Sequence, residues 1–268
     1  LASAFCSGRG QDVALPIFDG RWGGLALRLA LLAGTALVAP AQAQNATWST
    51  TPGSGSFNDS ANWTPLTVPT GTAFFGSSAT TAITIGNTAS IGGFTFNADA
   101  NAYTITVAAF GGSFEFTGAG IVNNSGQAQT LVNQGGSWLQ FRNASTAADA
   151  AIISSGSLEF HDSSTAGNAT ITSNNLLKFY NASTAGNAAI TSGLLTQFLG
   201  TSSAGSATIT NNASIEFYQT STAGNATITN AGSSQLEFLG SSTAGNATII
   251  NNGTLRFNES STAGNATI

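Results

Sequence analysis

The sequence predicts an all-β fold, a parallel β-helix (β-solenoid) with about 19–21 residues per coil. Two motifs that recur in step lead to this prediction, a Ser-Thr-Ala-Gly-Asn-Ala-Thr-Ile segment and a Leu-x-Phe triplet. The glycine recurs every 19 residues, with one interval of 21, at Gly167, Gly186, Gly205, Gly224, Gly245 and Gly264. The phenylalanine keeps the same spacing, at Phe141, Phe160, Phe179, Phe198, Phe217, Phe238 and Phe257, and is assigned to the core. A constant period of this length indicates stacked coils around one continuous core.

The composition supports stacked strands and excludes some partners. Only 6 % of the residues are charged, against roughly a quarter in ordinary soluble domains. The periodic apolar positions argue against disorder, because a chain that buries nothing needs no regular apolar pattern. Beyond Arg28 the basic residues are Arg142, Lys178 and Arg256. They are too few to follow a phosphate backbone, so we expect no nucleic-acid partner.

Residues 1–43 are predicted to form a leader with a signal peptide. Arg21 and Arg28 flank or enter an apolar stretch at 25–38, and the Ala-Gln-Ala at 41–43 has the small-x-small form of a cleavage site. The stretch is too short to span a membrane comfortably. We therefore expect an exported chain that begins near Gln44 and lacks cysteine, since Cys6 lies upstream.

The exported part is expected to have three regions. Residues 44–70, with Trp48, Phe57 and Trp63, form a Trp-rich N-terminal cap. Residues 71–137 form irregular β-helix coils, because their phenylalanines are spaced less evenly. Residues 138–268 form regular 19-residue repeats that stop within a repeat, so we expect a fragment of a longer protein.

Each regular repeat is expected to contain two or three strands. Residues 169–172 alternate apolar and polar, and residues 173–175 form a turn, since asparagine tolerates left-handed backbone angles. Leu177 and Phe179 point inward around Lys178. The two additional residues of the longest repeat fall in the turn between Ile228 and Leu236. Roughly ten coils at about 4.8 Å each predict a rod on the order of 50 Å long.

Two columns of polar side chains are expected along the stack. Amides at one position form a structural ladder, since stacked amides can bond to one another, at Asn168, Asn187, Asn225, Asn246 and Asn265. The outward position between Leu and Phe places Glu159 beside Lys178 and Glu237 beside Arg256, two attractive pairs.

The N-terminal residues resemble the start of autotransporter passenger domains. The resemblance rests on a Trp-rich pattern followed by Ile-Gly-Gly-Phe-Thr-Phe-Asn at 91–97, with Trp48, Gly53, Ser54, Gly55, Phe57, Asp59, Asn62, Trp63 and Pro65. The repeats are similar to the autotransporter-associated β-strand repeat of pertactin-like passengers. The resemblance implies a right-handed β-helix that a C-terminal β-barrel, missing from this chain, carries across the outer membrane of a Gram-negative bacterium.

No catalytic residue, cofactor or metal ligand is expected. His161 is the only histidine, and its position is occupied in other repeats by residues such as Tyr180 and Leu199, so we interpret it as a loop residue rather than a member of a triad. Carboxylates such as Asp162 and Glu259 are scattered and are expected to be solvated.

The sequence therefore predicts a non-enzymatic stalk exposed at the cell surface or released, serving adhesion or cell-surface contact. Its partner would be a ligand on a host or neighbouring cell, met by loops that contain His161, Tyr180 and Tyr218. The alternative is a secreted solenoid that binds ice or self-assembles through threonine-rich strands and an open edge. Its threonine pairs, for example Thr170 with Thr172, are interrupted at Ile153, Ala189 and Ile250.

Overall fold

The computed structural model describes residues 42–110 and 112–268, which form an all-β solenoid of about nine turns. The predicted leader, apart from its last two residues, and Cys6 lie outside the described residues. At about 4.8 Å per strand layer, nine turns span roughly 43 Å, slightly less than the predicted ten coils. The predicted hand of the β-helix rests on the family resemblance and stays a prediction.

Short strands alternate along the chain. They are β1 (Ala46–Trp48), β2 (Trp63–Thr64), β3 (Thr72–Phe75), β4 (Ala82–Ile85), β5 (Ala89–Phe96), β6 (Thr104–Val107), β7 (Ser113–Asn123), β8 (Thr130–Asn133), β9 (Trp138–Phe141), β10 (Ala151–Ser154), β11 (Ser157–Phe160), β12 (Thr170–Ser173), β13 (Leu176–Phe179), β14 (Ala189–Ser192), β15 (Leu195–Phe198), β16 (Thr208–Asn211), β17 (Ser214–Phe217), β18 (Thr227–Asn230), β19 (Gln235–Phe238), β20 (Thr248–Asn251) and β21 (Thr254–Phe257). One turn of 3-10 helix, Ser60–Asn62, precedes β2.

The strands belong to two parallel sheets and leave a third side. Sheet A has twelve strands, β2, β1 and then every odd strand from β3 to β21, and sheet B has nine, the even strands from β4 to β20. Among the described pairs, β1 with β2 is antiparallel and all others are parallel. Single-residue bridges close the third side, at Thr146, Thr165, Thr184, Ser203, Thr222, Thr243 and Thr262. Each regular coil is thus two strands and one bridge, as the repeat predicted.

The core of the regular coils is a column of stacked rings. From Phe141 to Phe257, consecutive centroids are 4.6–4.9 Å apart with interplanar angles of 4–10°. These distances match the spacing of hydrogen-bonded strands, about 4.7–4.9 Å, because in-register parallel strands place each ring on the one before it. The rings from Phe141 to Phe238 are fully buried and Phe257 is partly buried.

A cluster of edge-to-face aromatic rings packs against the first coils. The ring centroid of Trp63 lies 5.0 Å from that of Trp48 and 5.1 Å from that of Phe57, and all three side chains are buried. The Trp63 indole donates to the Phe57 carbonyl at 2.8 Å, and its ring meets Phe75 at 5.8 Å. The predicted cap region therefore places apolar rings against the core of the coils that follow.

The 21-residue repeat keeps the strand register of its neighbours, which confirms that its two additional residues fall in a turn. Its two additional residues lie in the four-residue turn between β18 and β19. Phe217 still pairs with Phe238 and Ile228 with Ile249. A lengthened turn leaves every side chain on its own face, since strand alternation resumes in phase.

The left-handed residues lie outside the turn that was predicted at 173–175. No residue of the turn at 173–175 has a positive φ. Left-handed backbone occurs instead at the motif glycines and two residues after each Phe, at Asn143, Asp162, Asn181, Gly200, Gln219, Gly240 and Glu259. The predicted turn is present between β12 and β13, but its asparagines do not use the left-handed conformation that they tolerate. The corners flanking the bridge side adopt that conformation.

Candidate contact surfaces

One of the two columns of outward side chains on sheet A is largely charged. Successive positions are Glu115, Gln140, Glu159, Lys178, Gln197, Glu216, Glu237 and Arg256. The predicted Glu237 and Arg256 pair is confirmed, with Nη1 2.7 Å from Oε1. Lys178 pairs with Glu159 in register, but no ion pair joins them in the described structure. The Lys178 ammonium lies instead 6.0 Å from the Tyr180 ring centroid.

Glu159 is the most highly bonded carboxylate of this column. Its Oε2 lies 3.0 Å from His161 Nε2 and accepts from Gln140 at 2.9 Å, while its Oε1 accepts from Ser157 at 2.9 Å. The His161 hydrogen bond, with those of Gln140 and Ser157, outweighs burial and lowers the pKa of Glu159 to about 2. The carboxylate is therefore held ionised, with both oxygens in hydrogen bonds.

The predicted contact residues lie at the corner after sheet A. His161 and Tyr180 are brought together, with ring centroids 4.6 Å apart and planes 10° from parallel. Tyr218 lies two coils further on, separated by Leu199, and its hydroxyl donates to Glu216 Oε2 at 3.0 Å. All are half-buried. Because His161 and Tyr180 cover each other's faces, this column presents edges rather than an open aromatic platform.

Side-chain oxygens at the next corner position bind the backbone of the preceding coil, a role that the sequence interpretation missed. The Asp162 carboxylate accepts from the Asn143 amide at 2.9 Å, and Glu259 accepts from the Gly240 amide at 2.7 Å. Asn181 bonds the Asp162 amide in the same way at 3.2 Å. Both carboxylates are exposed, as expected of scattered solvated charges, and in addition they have a structural role that the sequence did not predict. The recurrence of Asn, Asp and Gly two residues after Phe was the available signal.

The predicted asparagine ladder is present in two exposed pieces. Asn187 donates to Asn168 at 3.2 Å, and Asn265 to Asn246 and Asn246 to Asn225 at the same distance. Ser206 occupies the position between the two pieces. The amides bond one another, so they serve the stack rather than an external partner.

A second, mostly buried ladder was not predicted. Asn211 donates to Asn230 and Asn230 to Asn251, both at 2.7 Å. Asn211 also donates to the Gln235 carbonyl at 2.7 Å, and Asn230 to the Thr254 carbonyl at 3.0 Å. The sequence analysis gave no role to these asparagines at the ends of sheet B strands. Their amides bond the carbonyl of the first residue of a sheet A strand in the next coil.

The outer face of sheet B differs in chemistry from that of sheet A. Its first column in strand register is Ala82, Thr104, Thr130, Ala151, Thr170, Ala189, Thr208, Thr227 and Thr248. Its second column is Thr84, Thr106, Val132, Ile153, Thr172, Thr191, Thr210, Thr229 and Ile250. All these side chains are exposed or half-buried, so sheet B presents a regular, uncharged array.

The described residues contain no group of three or more His, Cys, Asp or Glu side chains placed to hold a metal ion. Within them, no helix has the length and apolar character needed to cross a membrane. No family model, curated protein or solved structure matches this chain. The stacked parallel strands define the class of protein, a β-solenoid of short, regular coils.

Proposed function

We propose that this protein is a non-enzymatic stalk, the passenger part of a bacterial autotransporter, which projects a contact surface from the cell. The observation that carries the proposal is the uninterrupted in-register stack from β9 to β21, with nearly uniform corners. A stack of this kind can hold a contact surface at a fixed distance from the cell, because each coil is joined to its neighbours through two strands, a bridge and a stacked ring.

Sequence supports the exported setting. The predicted signal peptide and the resemblance to passenger domains support a position outside the cytoplasm, at the surface of a Gram-negative cell or released from it. Folding does not require disulfides there, since the ladders and the phenylalanine column hold the coils.

Adhesion is assigned to the corner after sheet A. There the ring edges of His161, Tyr180 and Tyr218 lie next to the charged column of Glu159, Lys178 and Glu216. Edges with neighbouring charges suit a polar ligand on another cell's surface better than a sugar ring that must stack on an open aromatic face.

Surface display tests the exported setting. An epitope inserted between Gly232 and Ser233, both exposed and within the four-residue turn, should be labelled by antibody on intact cells that express the natural gene. Leu31→Arg, which interrupts the predicted signal peptide, is the matched control and should abolish labelling until the cells are permeabilised. If the protein with the unaltered leader were labelled only after permeabilisation, the proposal would be overturned.

Cell adhesion tests the contact surface. Tyr180→Ser with Tyr218→Ser should reduce attachment of displaying cells to a neighbouring-cell layer while surface labelling stays unchanged. Leu194→Ser, at a side chain 51 % exposed in another corner, is the control and should leave attachment intact. Equal attachment by all variants would assign the chain to a spacer without a contact role.

A further inference from the structure

We propose that the outer face of sheet B binds the surface of ice through its two threonine columns. This activity is separate from the proposed stalk function and depends on neither export nor adhesion. The occupant is a crystalline lattice of water molecules, and the face that meets it consists of the eighteen outward positions of strands β4 to β20.

Every position of this face suits a flat, uncharged contact. Threonine occupies six positions of each column, and the others hold alanine, valine or isoleucine. At Ile153 and Ile250, 45 % and 51 % exposed, the side chain retains the γ-methyl group of threonine and carries an ethyl group in place of the hydroxyl. The array is therefore uncharged throughout, and hydroxyl groups occupy twelve of its eighteen positions.

The threonine hydroxyls of this face make no hydrogen bond to other groups of the described structure, unlike those of the bridge side. There Thr165 accepts from the Gly167 amide and Thr184 from the Gly186 amide, both at 3.0 Å. Bridge-side threonine is thus explained by turn formation. The face threonines stabilise no turn, and their hydroxyls remain available to water.

Charge is segregated away from this face. On sheet A, six of eight outward positions in one column are charged, from Glu115 to Arg256. On sheet B no outward strand position carries a charge. Charged residues do occur on the strands of sheet A, so their exclusion from sheet B is consistent with an uncharged partner. A charged partner would find no group of opposite charge on sheet B.

The spacing of the hydroxyls forms a two-dimensional lattice. Neighbouring coils place equivalent hydroxyls about 4.8 Å apart, and positions two apart along a strand are about 6.6 Å apart. Oxygen rows on faces of hexagonal ice recur at distances of the same order. The β-branched side chain restricts χ1, so the hydroxyl lattice is ordered before water binds and loses little entropy on contact.

A second copy of the chain fits this face less well. Nine strands of four residues cover roughly 550 Å², against about 800 Å² per partner in a standard protein interface. Large aromatic anchors, which dominate such interfaces, do not occur among the outward positions. Self-association through this face is therefore treated as an opposing outcome of the test.

Thermal hysteresis and inhibition of ice recrystallisation by the purified full chain test the proposal. The unaltered chain should show both, and Thr191→Tyr with Thr210→Tyr, at exposed positions paired in adjacent coils, should lose them. Thr201→Tyr, at an exposed corner outside sheet B, should retain them. Thr210→Val keeps the shape, removes one hydroxyl and should weaken the activity without altering the fold.

Circular dichroism and sedimentation separate the outcomes. Folded variants with the expected ranking support ice binding. Absence of both activities in the unaltered chain overturns it, as does an equal effect of the sheet B and corner substitutions. A dimer that dissociates in the Thr191→Tyr and Thr210→Tyr variant would also overturn it and assign the face to self-association.

Discussion

At the scale of single residues, Gly205 shows why the motif glycine recurs. Its φ is +63°, and a Cβ placed on it would lie 2.6 Å from the Gly186 carbonyl oxygen. Ala148, in the same position of an earlier coil, has a φ of 51°, so the left-handed backbone alone does not exclude a side chain. The close approach of the preceding coil's backbone is the second restriction, and it applies at Gly167 as well, where a Cβ would lie 2.8 Å from the Ala148 carbonyl oxygen.

Gly205→Ala should therefore destabilise the solenoid by about 1–3 kcal/mol, through backbone strain and the clash. Gly232→Ala is the matched control, because its Cβ would meet nothing nearer than 3.7 Å and its φ is not positive. The control should change the unfolding free energy by less than about 0.5 kcal/mol. Urea titration followed by circular dichroism measures both, and an equal effect of the two substitutions would contradict the assignment.

Glu159 predicts a pH dependence of stability. Its pKa falls from 4.5 to about 2 on folding, chiefly through the His161 hydrogen bond. The stabilisation is present above pH 4.5 and is lost as the pH falls toward 2, because the unfolded state binds the proton first. A shift of this size corresponds to at most about 3 kcal/mol.

Glu159→Gln should flatten the slope of unfolding free energy against pH in this window. His161→Leu removes the main hydrogen-bond donor with a residue that other coils carry at this corner, at Leu199 and Leu239, and should flatten it as well. Urea titrations at several pH values between 2 and 5 provide the measurement. An unchanged slope in both variants would show that the carboxylate is not held ionised by this contact.

At the scale of elements, the coil depends on its phenylalanine. Phe179 lies between Phe160 and Phe198, with centroids 4.9 and 4.8 Å away. Phe179→Ala should cost about 3–5 kcal/mol, because the gap cannot be closed without shifting bonded strands. Leu194→Ala, at a half-exposed corner, is the control and should cost little. Urea unfolding of both variants decides, and equal costs would mean that the ring column is not the main source of stability.

The four-residue turns restrict which residue can occupy the facing position of the next coil. A Cβ on Gly253 would meet the carbonyl oxygens of Ala231 and Ser234 at 2.3 and 2.4 Å, and one on Gly156 would meet that of Ser137 at 2.4 Å. Each glycine follows, one coil later, a turn that bulges toward it. The sequence showed where the long repeat inserts its residues, but not that its neighbour must then be glycine, because that requirement comes from a contact between coils.

At the scale of the whole molecule, integral coils should be removable. Deletion of residues 168–205 joins Gly167 to Ser206 and removes two 19-residue coils, so that β10 and β11 meet β16 and β17 in register. We expect a folded rod about 10 Å shorter, since neighbouring coils supply the same contacts. Small-angle scattering measures the length.

Deletion of residues 168–196 is the matched control. It removes one and a half coils and joins Gly167 to Gln197, so a strand of sheet B is missing and the core opens. This variant should unfold at markedly lower urea concentration or aggregate. If the two deletions behaved alike, periodic stacking would not be the basis of the fold.

Sequence by itself determined the stacked all-β architecture, the phenylalanine column, the exposed amide ladder and the placement of the insertion, because each follows from period and alternation along one chain. Tertiary structure decided which corners are left-handed, that Asp162 and Glu259 bond the coil before them, that Asn211 and Asn230 point inward, and that His161 and Tyr180 cover each other. It also decided that the threonine columns form one uncharged face. These properties arise from contacts between residues about 19 positions apart in the chain. Such contacts depend on how neighbouring coils stack, which the order of residues along one coil does not show.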